Sequence, residues 1–552
     1  MAAQKEKTKI LVIDDERLIR LTLNAKLKQI GYTAVCVASI PEAVTLLKEG
    51  GHKQFKAIIT DIMMGEMDGF VFRNIVRGMD ERMPIFFMTA LDPEEGSGFL
   101  KRIMDDSYSF YLPKSIKPDL LLKRVQGIVD SRRVEDFIKA KNKETEASLT
   151  LAAHLQSKML PPRTRVTDTD FYTYCWSPKD IVSGDLLEVM PLPDGGGIYI
   201  LGDIQGHGIS ASLSMMAVQS FLKHLSTSGG FADVTPSAIA NQIHHFFTEN
   251  LGTLSYMTAL ICIHRPRENI VDWISCGAPD LQVLDPLAGK PVETNPEKRG
   301  NMPLGMIAET VYSEQDVVRT HLSESSFCVA FTDGIFDVYR DQNGHEAMPD
   351  DLRLKLENEL LTEAFQKDDL ITSPFKIRMV FEACGYPVFV DDMTGLIFGP
   401  IRKNTDTLIR SIPIDAAVID REAQEIEQWC SERGWDHEII TKVELVFEEK
   451  MMNVHDHGYN RHDRAGERAC FRLKKNRGFV ELTIWDWGTP EPSILVAAGN
   501  AELEFELKNR DFSGRGRGRL MLRQMCCGIE RRQFENLNET LYRIAVDDKP
   551  AC

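Results

Sequence analysis

The sequence predicts a multidomain α/β and α+β protein: a doubly wound parallel-sheet domain, a long linker helix, a β-sandwich flanked by helices and a closing α/β sandwich. Three observations predict it. The 552 residues exceed a single core, since domains commonly hold about 150 residues. Over residues 8–125 short apolar runs alternate with amphipathic stretches, the rhythm of βαβ units. A charged stretch with few helix breakers follows, then strand-like runs punctuated by Gly and Pro to about residue 400, then a mixed segment to the end.

Composition narrows the function classes. Acidic side chains outnumber basic ones by 82 to 65, a formal charge of −17. Such a chain repels phosphate backbones, which argues against direct DNA binding. With 43% hydrophobic and 27% charged residues, the mix is that of packed soluble domains. No apolar stretch approaches the roughly 18–20 residues of a membrane span, so no membrane association is expected. The first residues, MAAQKEKTK, lead straight into a strand-like run without a signal-peptide pattern. Eleven scattered cysteines without metal-knuckle spacing complete the expectation of a cytoplasmic protein with free thiols.

In the first domain, expected over 1–124, Ile10–Ile13, Ala57–Ile59, Ile85–Met88 and Phe110–Leu112 read as buried strands, and Leu18–Ile30 and Pro41–Lys48 as helices. Asp14 and Asp15 follow the first strand, Asp61 the third, Thr89 the fourth and Lys114 the fifth. The carboxyl ends of the strands in such a sheet open onto one crevice. Three carboxylates and water suit Mg2+, while a hydroxyl and an ammonium can hold phosphoryl oxygens. A single Asp there would be read as a helix cap; the ordered set says more. In IDDE, TDIMMGEMDG, FFMTA and YLPKS the segment resembles the receiver domain of response regulators. The resemblance implies that Asp61 accepts a phosphoryl group from a sensor histidine kinase or phosphotransfer protein. It also implies that Asp14, Asp15 and Asp61 bind Mg2+ and that Thr89 and Tyr111 form a switch pair. Gly65 and Ser115 stand where that family usually has proline.

Residues 119–160 read as one long charged helix, stopped by Pro161–Pro162. Its linker portion, 125–162, is weakly heptadic and could join two copies as a homodimer.

The third segment, 163–400, holds strand-like Gly197–Leu201, Met257–Ile263, Gln282–Leu284, Phe327–Phe331 and Thr394–Phe398, with helical Ile209–Leu225 and Pro236–Phe247. It carries neither GxSxG nor HExxH. Instead Asp185, Asp203, Asp333 and Asp391 stand beside glycines or a second aspartate at strand ends. Any one Asp-Gly pair is as readily a turn, but several strands delivering hard oxygen ligands suit a pair of Mg2+ or Mn2+ ions acting on a phosphate monoester. From LAAHLQSKMLPP through SPKDIVSGD, GDIQGHG, NMPLG, FTDGIFD and DDMTGL the segment resembles SpoIIE/RsbU-type PPM serine phosphatases. The resemblance implies metal binding by Asp185, Asp203, Asp333, Asp391 and the Ile204 carbonyl, with Asp392 able to share the work of Asp391.

The last segment, 401–552, has helical Asp415–Arg433, Ile439–Asn453 and Gly518–Cys527 and a strand at Phe479–Trp485. Glu449, Asn453 and His457 share one face at i, i+4 spacing. Asp486 and Gly488 follow a strand, and Gly514, Gly516 and Gly518 precede a helix, as a phosphate cradle does. A lone glycine run is usually only a loop. Together these resemble the ATP-binding boxes of GHKL ATPases, nearest to RsbW-type anti-sigma serine kinases. That implies ATP and Mg2+ held by Asn453, His457, Asp486, Gly488 and the glycine run, with Glu449 as the base.

As a whole the chain resembles partner-switching response regulators. Phosphorylated Asp61 would control a phosphatase acting on a STAS-domain anti-sigma-factor antagonist, and the C-terminal domain would phosphorylate the same partner or bind a sigma factor. The alternative is a C-terminal module that only sequesters the sigma factor. A hybrid histidine kinase is disfavoured because a whole domain separates His154 from Glu449. A DNA-binding regulator is disfavoured because no helix-turn-helix follows the receiver-like segment.

Overall fold

The computed structural model describes residues 8–48, 51–64, 67–89, 97–193, 195–206, 208–227, 234–252, 255–285, 290–291, 300–323, 325–340, 347–349, 352, 371–401, 406–459, 467–489, 521–522, 524–534 and 537–546. The chain forms two compact units, Met1–Ala147 and Ser148–Cys552.

In the first unit a five-stranded parallel sheet runs, from edge to edge, Thr33–Val37, Lys9–Ile13, Phe55–Asp61, Ile85–Thr89 and Ser109–Pro113. Helix covers both faces because successive residues of one strand point to opposite sides. Ile10 and Val12 pack with Leu23, Leu27, Val125 and Val129. Leu11 and Ile13 pack with Ile40, Ala43, Phe70 and Val76. The third strand begins two residues before and ends two after the expected Ala57–Ile59, which places Asp61 as its last residue. The long helix spans Pro118–Met159. Its first turns belong to this core, and Arg132 anchors it by donating to Asp80 Oδ2 at 2.5 Å and to the Arg82 carbonyl at 2.8 Å.

The second unit opens with a sandwich of two antiparallel sheets. One holds Asp185–Pro191, Gly197–Ile204, Met257–Arg265, Ile270–Cys276 and Val318–His321. The other holds Lys290–Pro291, Gln282–Asp285, Phe327–Phe331, Met393–Pro400, Asp170–Ser177 and Thr164–Val166. Aromatic rings fill the space between them; Tyr199 stacks on Phe398 with centroids 4.0 Å apart. The helices Ile209–Thr227 and Pro236–Phe246 cover the outer face of the first sheet. The helix Ser373–Ala383 lies against the outer face of the second.

The C-terminal part is an antiparallel sheet in the order Thr407–Pro413, Arg468–Lys475, Phe479–Asp486, Leu537–Ala545 and Gly528–Phe534. The helices Ala416–Glu432 and His437–Asn453 cover one face. Its other face is not solvated. Cys470, Trp485 and Leu537 join one buried cluster with Phe331, Ile335 and Met393 of the sandwich, and Ser411 Oγ donates to the Thr164 carbonyl at 3.1 Å. The expected helix over 518–527 lies partly outside the described residues, and the strand Gly528–Phe534 starts where it was to end. No helix among the described residues is long and apolar enough to cross a membrane.

Candidate functional site

In the first unit Asp14, Asp61, Thr89 and Lys114 meet at the carboxyl ends of the parallel strands, as the strand order requires. Lys114 Nζ stands 2.6 Å from Asp61 Oδ2, 3.6 Å from Asp14 Oδ2 and 3.4 Å from Glu16 Oε1. These carboxylates hold the lysine ammonium above its ordinary pKa, against the opposing effect of burial. Asp14 is buried; its Oδ1 accepts from the Glu16 amide at 2.8 Å while Oδ2 has no hydrogen-bond donor. Burial raises its pKa, helped by Asp61 and Asp15 and opposed by Lys114. Asp15 is exposed. The Lys114 amide donates to the Thr89 carbonyl at 2.7 Å, which fixes the two strand ends side by side.

The second constellation sits at one end of the sandwich. Asp185 and Asp203 face each other in the register of neighbouring strands. Asp333 opens a short turn, Asp333–Ile335, after the strand Phe327–Phe331. Asp391 and Asp392 lead into the strand Met393–Pro400. Gly334 makes the approach of these last two segments possible, since a Cβ there would stand 2.0 Å from the Asp392 carbonyl oxygen. Gly184 packs more loosely, a Cβ there lying 3.2 Å from the Ala211 Cβ and 3.4 Å from the Ile204 carbonyl oxygen. Asp185 Oδ2 accepts from Thr394 Oγ1 at 2.5 Å and Thr332 Oγ1 at 3.1 Å, whereas the buried Oδ1 is left without a donor.

The electrostatics are those of carboxylates crowded in low dielectric. Burial, then Asp333, Asp391 and Asp392, push Asp203 up to about 8. Burial and Asp203 push Asp185 far above its ordinary range. Among the described residues no three acidic, histidine or cysteine side chains are gathered closely enough to hold an ion as they stand. In the first unit the Lys114 ammonium lies between two of the carboxylates. In the second, mutual repulsion opposes gathering without a cation. The residues nevertheless fit hard divalent ions, because each site offers only oxygen donors and includes a buried carboxylate oxygen lacking a partner.

Asp392 behaves differently from Asp391. Its Oδ1 accepts from the Lys179 amide and its Oδ2 from the Gly184 amide, both at 2.7 Å. Both oxygens therefore tie down the loop that precedes Asp185. On the other side of this loop Gln156, near the end of the long helix, accepts from the Ser183 amide at 3.0 Å and donates to its carbonyl at 2.7 Å. Neither Gln156 nor the threonines on Asp185 stood out in sequence. Only their register against distant residues reveals them.

In the C-terminal part, Asn453 Nδ2 donates to Glu449 Oε1 at 3.0 Å, so the i, i+4 expectation holds for this pair. It fails for His457. The helix widens to a π-turn at Val454–Gly458, and His457 is exposed there; the wider turn breaks the 3.6-residue phase. Asp486 is buried at the end of its strand. Its Oδ1 accepts from the Gly488 amide at 3.0 Å and Asn538 Nδ2 at 2.9 Å, and its Oδ2 lies 3.8 Å from buried Lys450 Nζ. Gly488 permits close contact with the turn, as a Cβ would meet the Gly458 carbonyl oxygen at 2.6 Å. Lys450 and Asn538 were not singled out from sequence. Gly514, Gly516 and Gly518 lie outside the described residues.

Comparison with known proteins assigns the three regions. Residues 10–126 match the response regulator receiver domain, 193–398 match stage II sporulation protein E (SpoIIE), and 412–541 match the histidine kinase-like ATPase domain. Among curated relatives, response regulator MprA of Mycobacterium ulcerans is 28% identical over 159 residues, 28% of this chain and 62% of that protein. The probable transcriptional regulator ycf27 of Porphyridium aerugineum is 33% identical over 131 residues, 24% of this chain and 50% of that protein. The chain thus spans only about half to three-fifths of their length. Among solved structures, the RsbU and RsbW domains of a Mycobacterium tuberculosis protein align over 70% of this chain and 95% of that one (16% identity, TM-score 0.37). The SiaA-PP2C domain of Pseudomonas aeruginosa aligns over 47% and 98% (19% identity, TM-score 0.38). The chain therefore carries a receiver domain, a SpoIIE-type domain and a histidine kinase-like ATPase domain, in that order.

Proposed function

We propose that the chain is a receiver-controlled protein-serine phosphatase with a C-terminal ATP-binding domain acting on the same signalling partner. The observation that carries this is the meeting of Asp185 and Asp203 from one sheet with Asp333 and Asp391 from the other. Asp185 Oδ1 is left unpartnered there. A pair of Mn2+ or Mg2+ ions at these carboxylates and the Ile204 carbonyl would supply charge neutralisation and an activated water for a phosphate monoester. The protein's own part is positioning. Thr332 and Thr394 orient Asp185, and Asp392 and Gln156 hold the loop before it.

In the receiver domain Asp61 would accept the phosphoryl group, with Mg2+ at Asp14, Asp15 and Asp61. Lys114, already 2.6 Å from the acceptor carboxylate, and Thr89 would then hold its oxygens. The donor is a sensor histidine kinase or phosphotransfer protein. Phosphorylation would act through the continuous helix Pro118–Met159, whose exposed apolar residues also suit pairing as a homodimer. The substrate is a serine-phosphorylated STAS-domain anti-sigma-factor antagonist. The ATPase-like domain would rephosphorylate it with ATP and Mg2+ held at Asn453, Asp486 and Gly488, or bind a sigma factor.

The test is to incubate the purified protein and Mn2+ with that phosphorylated antagonist, with and without beryllofluoride, and to follow dephosphorylation by gel shift. Release that beryllofluoride alters and Asp203→Asn abolishes is expected. Absence of release in both states would remove the phosphatase reading. A second reading of the C-terminal domain, sequestration without turnover, is favoured by one contact: buried Lys450 beside Asp486 competes for the carboxylate that a base amine would need. Transfer of labelled phosphate from ATP to the antagonist would exclude it.

A further inference from the structure

We propose that an apolar rim beside the Asp185 and Asp203 carboxylates is the docking surface for a folded phosphoprotein substrate, an inference that rests on the phosphatase reading. The helix Ile209–Thr227 begins five residues after Ile204. Its first fourteen residues, Ile209 to Leu222, include no charged side chain in a chain that is 27% charged. Chance at that composition would put about four there. On the solvent side of this stretch Ile209 is 52% and Leu213 61% exposed, with exposed Ser210 and Ser220 beside them.

Two further segments extend the rim. Ile181 is exposed on the loop before Asp185. That loop abuts the start of the helix, because a Cβ on Gly184 would lie 3.2 Å from the Ala211 Cβ. Met302, Met306 and Ile307 are exposed on a segment tied at Leu304 to Met257 by two backbone hydrogen bonds, 2.8 and 2.9 Å. Met257 in turn pairs with Ile204. All three segments therefore border the strand ends that carry the acidic residues. Exposed apolar surface of this kind, continuous with a site, marks an interaction surface.

The occupant follows from where the rim lies and from charge. A domain that brings a phosphoserine to the carboxylates from the Ile204 side lies against this rim. The chain's charge of −17 repels an acidic phosphoprotein at a distance. The exposed apolar side chains on all three segments supply contact area at short range, beside the few charges there, Lys179, Asp180 and Glu309. We therefore assign it to the protein around the phosphoserine, the small phosphoryl group itself being held by the site.

The experiment compares wild type with Leu213→Glu and Met306→Glu, two residues on separate segments. The probes are the serine-phosphorylated STAS-domain protein, a phosphoserine heptapeptide cut from it, and 4-nitrophenyl phosphate, each with Mn2+. Expected is a rise of about tenfold or more in KM for the protein, the effect of losing one well-buried apolar contact. Hydrolysis of the peptide and of the aryl phosphate should stay within about twofold. Should Leu213→Glu lose all three activities through misfolding, Met306→Glu decides. Unchanged KM for the protein in the folded variants overturns the inference alone. So does a rim that proves to join two copies, with the variants altering mass in sedimentation but not KM. Hydrolysis of 4-nitrophenyl phosphate without hydrolysis of the phosphoprotein overturns the partner together with the inference, and hydrolysis of nothing overturns the phosphatase reading.

Discussion

Asp185 and Asp203 stand directly opposite each other on adjacent antiparallel strands, where burial and mutual repulsion make ionising both unfavourable without a counter-ion. Asp203→Asn relieves the repulsion. The metal-free variant should melt several degrees above wild type, about 1–3 kcal/mol more stable. Mn2+, which should raise the wild-type melting temperature, should leave the variant's unchanged. Differential scanning fluorimetry with and without Mn2+ checks both, and an unaltered Mn2+ response would remove Asp203 from the ligand set.

Gln156 makes both possible hydrogen bonds to the Ser183 backbone while fully buried. Gln156→Ala strips partners from a buried N–H and a buried C=O, at about 1–3 kcal/mol for each group left dry. Because Asp185 lies two residues on, the loss should appear in turnover too. We expect kcat on 4-nitrophenyl phosphate to move more than KM. A variant that is destabilised but retains wild-type kcat would make Gln156 a structural residue only.

Glu188 is buried beneath the helix Ile209–Thr227, where Gln219 Nε2 donates to its Oε2 at 3.1 Å. Burial pushes its carboxyl up to about 7, against the partial compensation of Lys223 and Gln219. The folded pKa lies above the ordinary value of 4.5, so the folded state binds the proton more tightly. The native state is then undisturbed below pH 4.5 and loses stability as pH rises from there through about 7, by about 3 kcal/mol in total. Glu188→Gln keeps the shape and cannot ionise. Its melting temperature should exceed wild type at pH 8 and match it at pH 4. An equal difference at both pH values would refute this assignment.

On the proposed receiver chemistry, Lys114 is the cation nearest the acceptor carboxylate. Lys114→Ala removes the ammonium 2.6 Å from Asp61 but leaves the acceptor carboxylate. Phosphorylation by acetyl phosphate should persist at a reduced level, while Asp61→Asn should abolish it. Phos-tag electrophoresis separates the two outcomes. If Asp61→Asn still accepted phosphate, the acceptor would have to be another residue.

The parts of this architecture legible in sequence were those with local periodicity. Ile85–Thr89 and Ile209–Thr227 were found within two residues because apolar runs and helical spacing announce them. The strand Asp185–Pro191 escaped notice because the buried Asp185 and Glu188 interrupt its apolar run. Of the sites, the acidic residues were legible and their supports were not. Gln156, Thr332 and Asn538 act on partners 27, 147 and 52 residues away, and no local pattern encodes such pairing. His457 shows the converse error. Regular i, i+4 spacing was assumed across a point where the helix widens.

Asn538 offers the sharpest test of the C-terminal site because it touches Asp486 without lying near it in sequence. Its Nδ2 donates both to Asp486 Oδ1 at 2.9 Å and to the Gly488 carbonyl at 2.8 Å, bridging the carboxylate that ends the strand Phe479–Asp486 and the glycine two residues on. Asn538→Ala leaves Asp486 with the Gly488 amide on Oδ1 and with Lys450 beside Oδ2. The ammonium then becomes the stronger partner and turns the carboxylate from the base pocket. Affinity for a fluorescent ATP analogue should fall about tenfold, the worth of one charge-assisted hydrogen bond. Asn538→Asp, which sets a second carboxylate against Asp486, should lose binding altogether. Unchanged affinity in both variants would mean that Asp486 does not recognise the base, and the fold of the domain would then serve its protein partner alone.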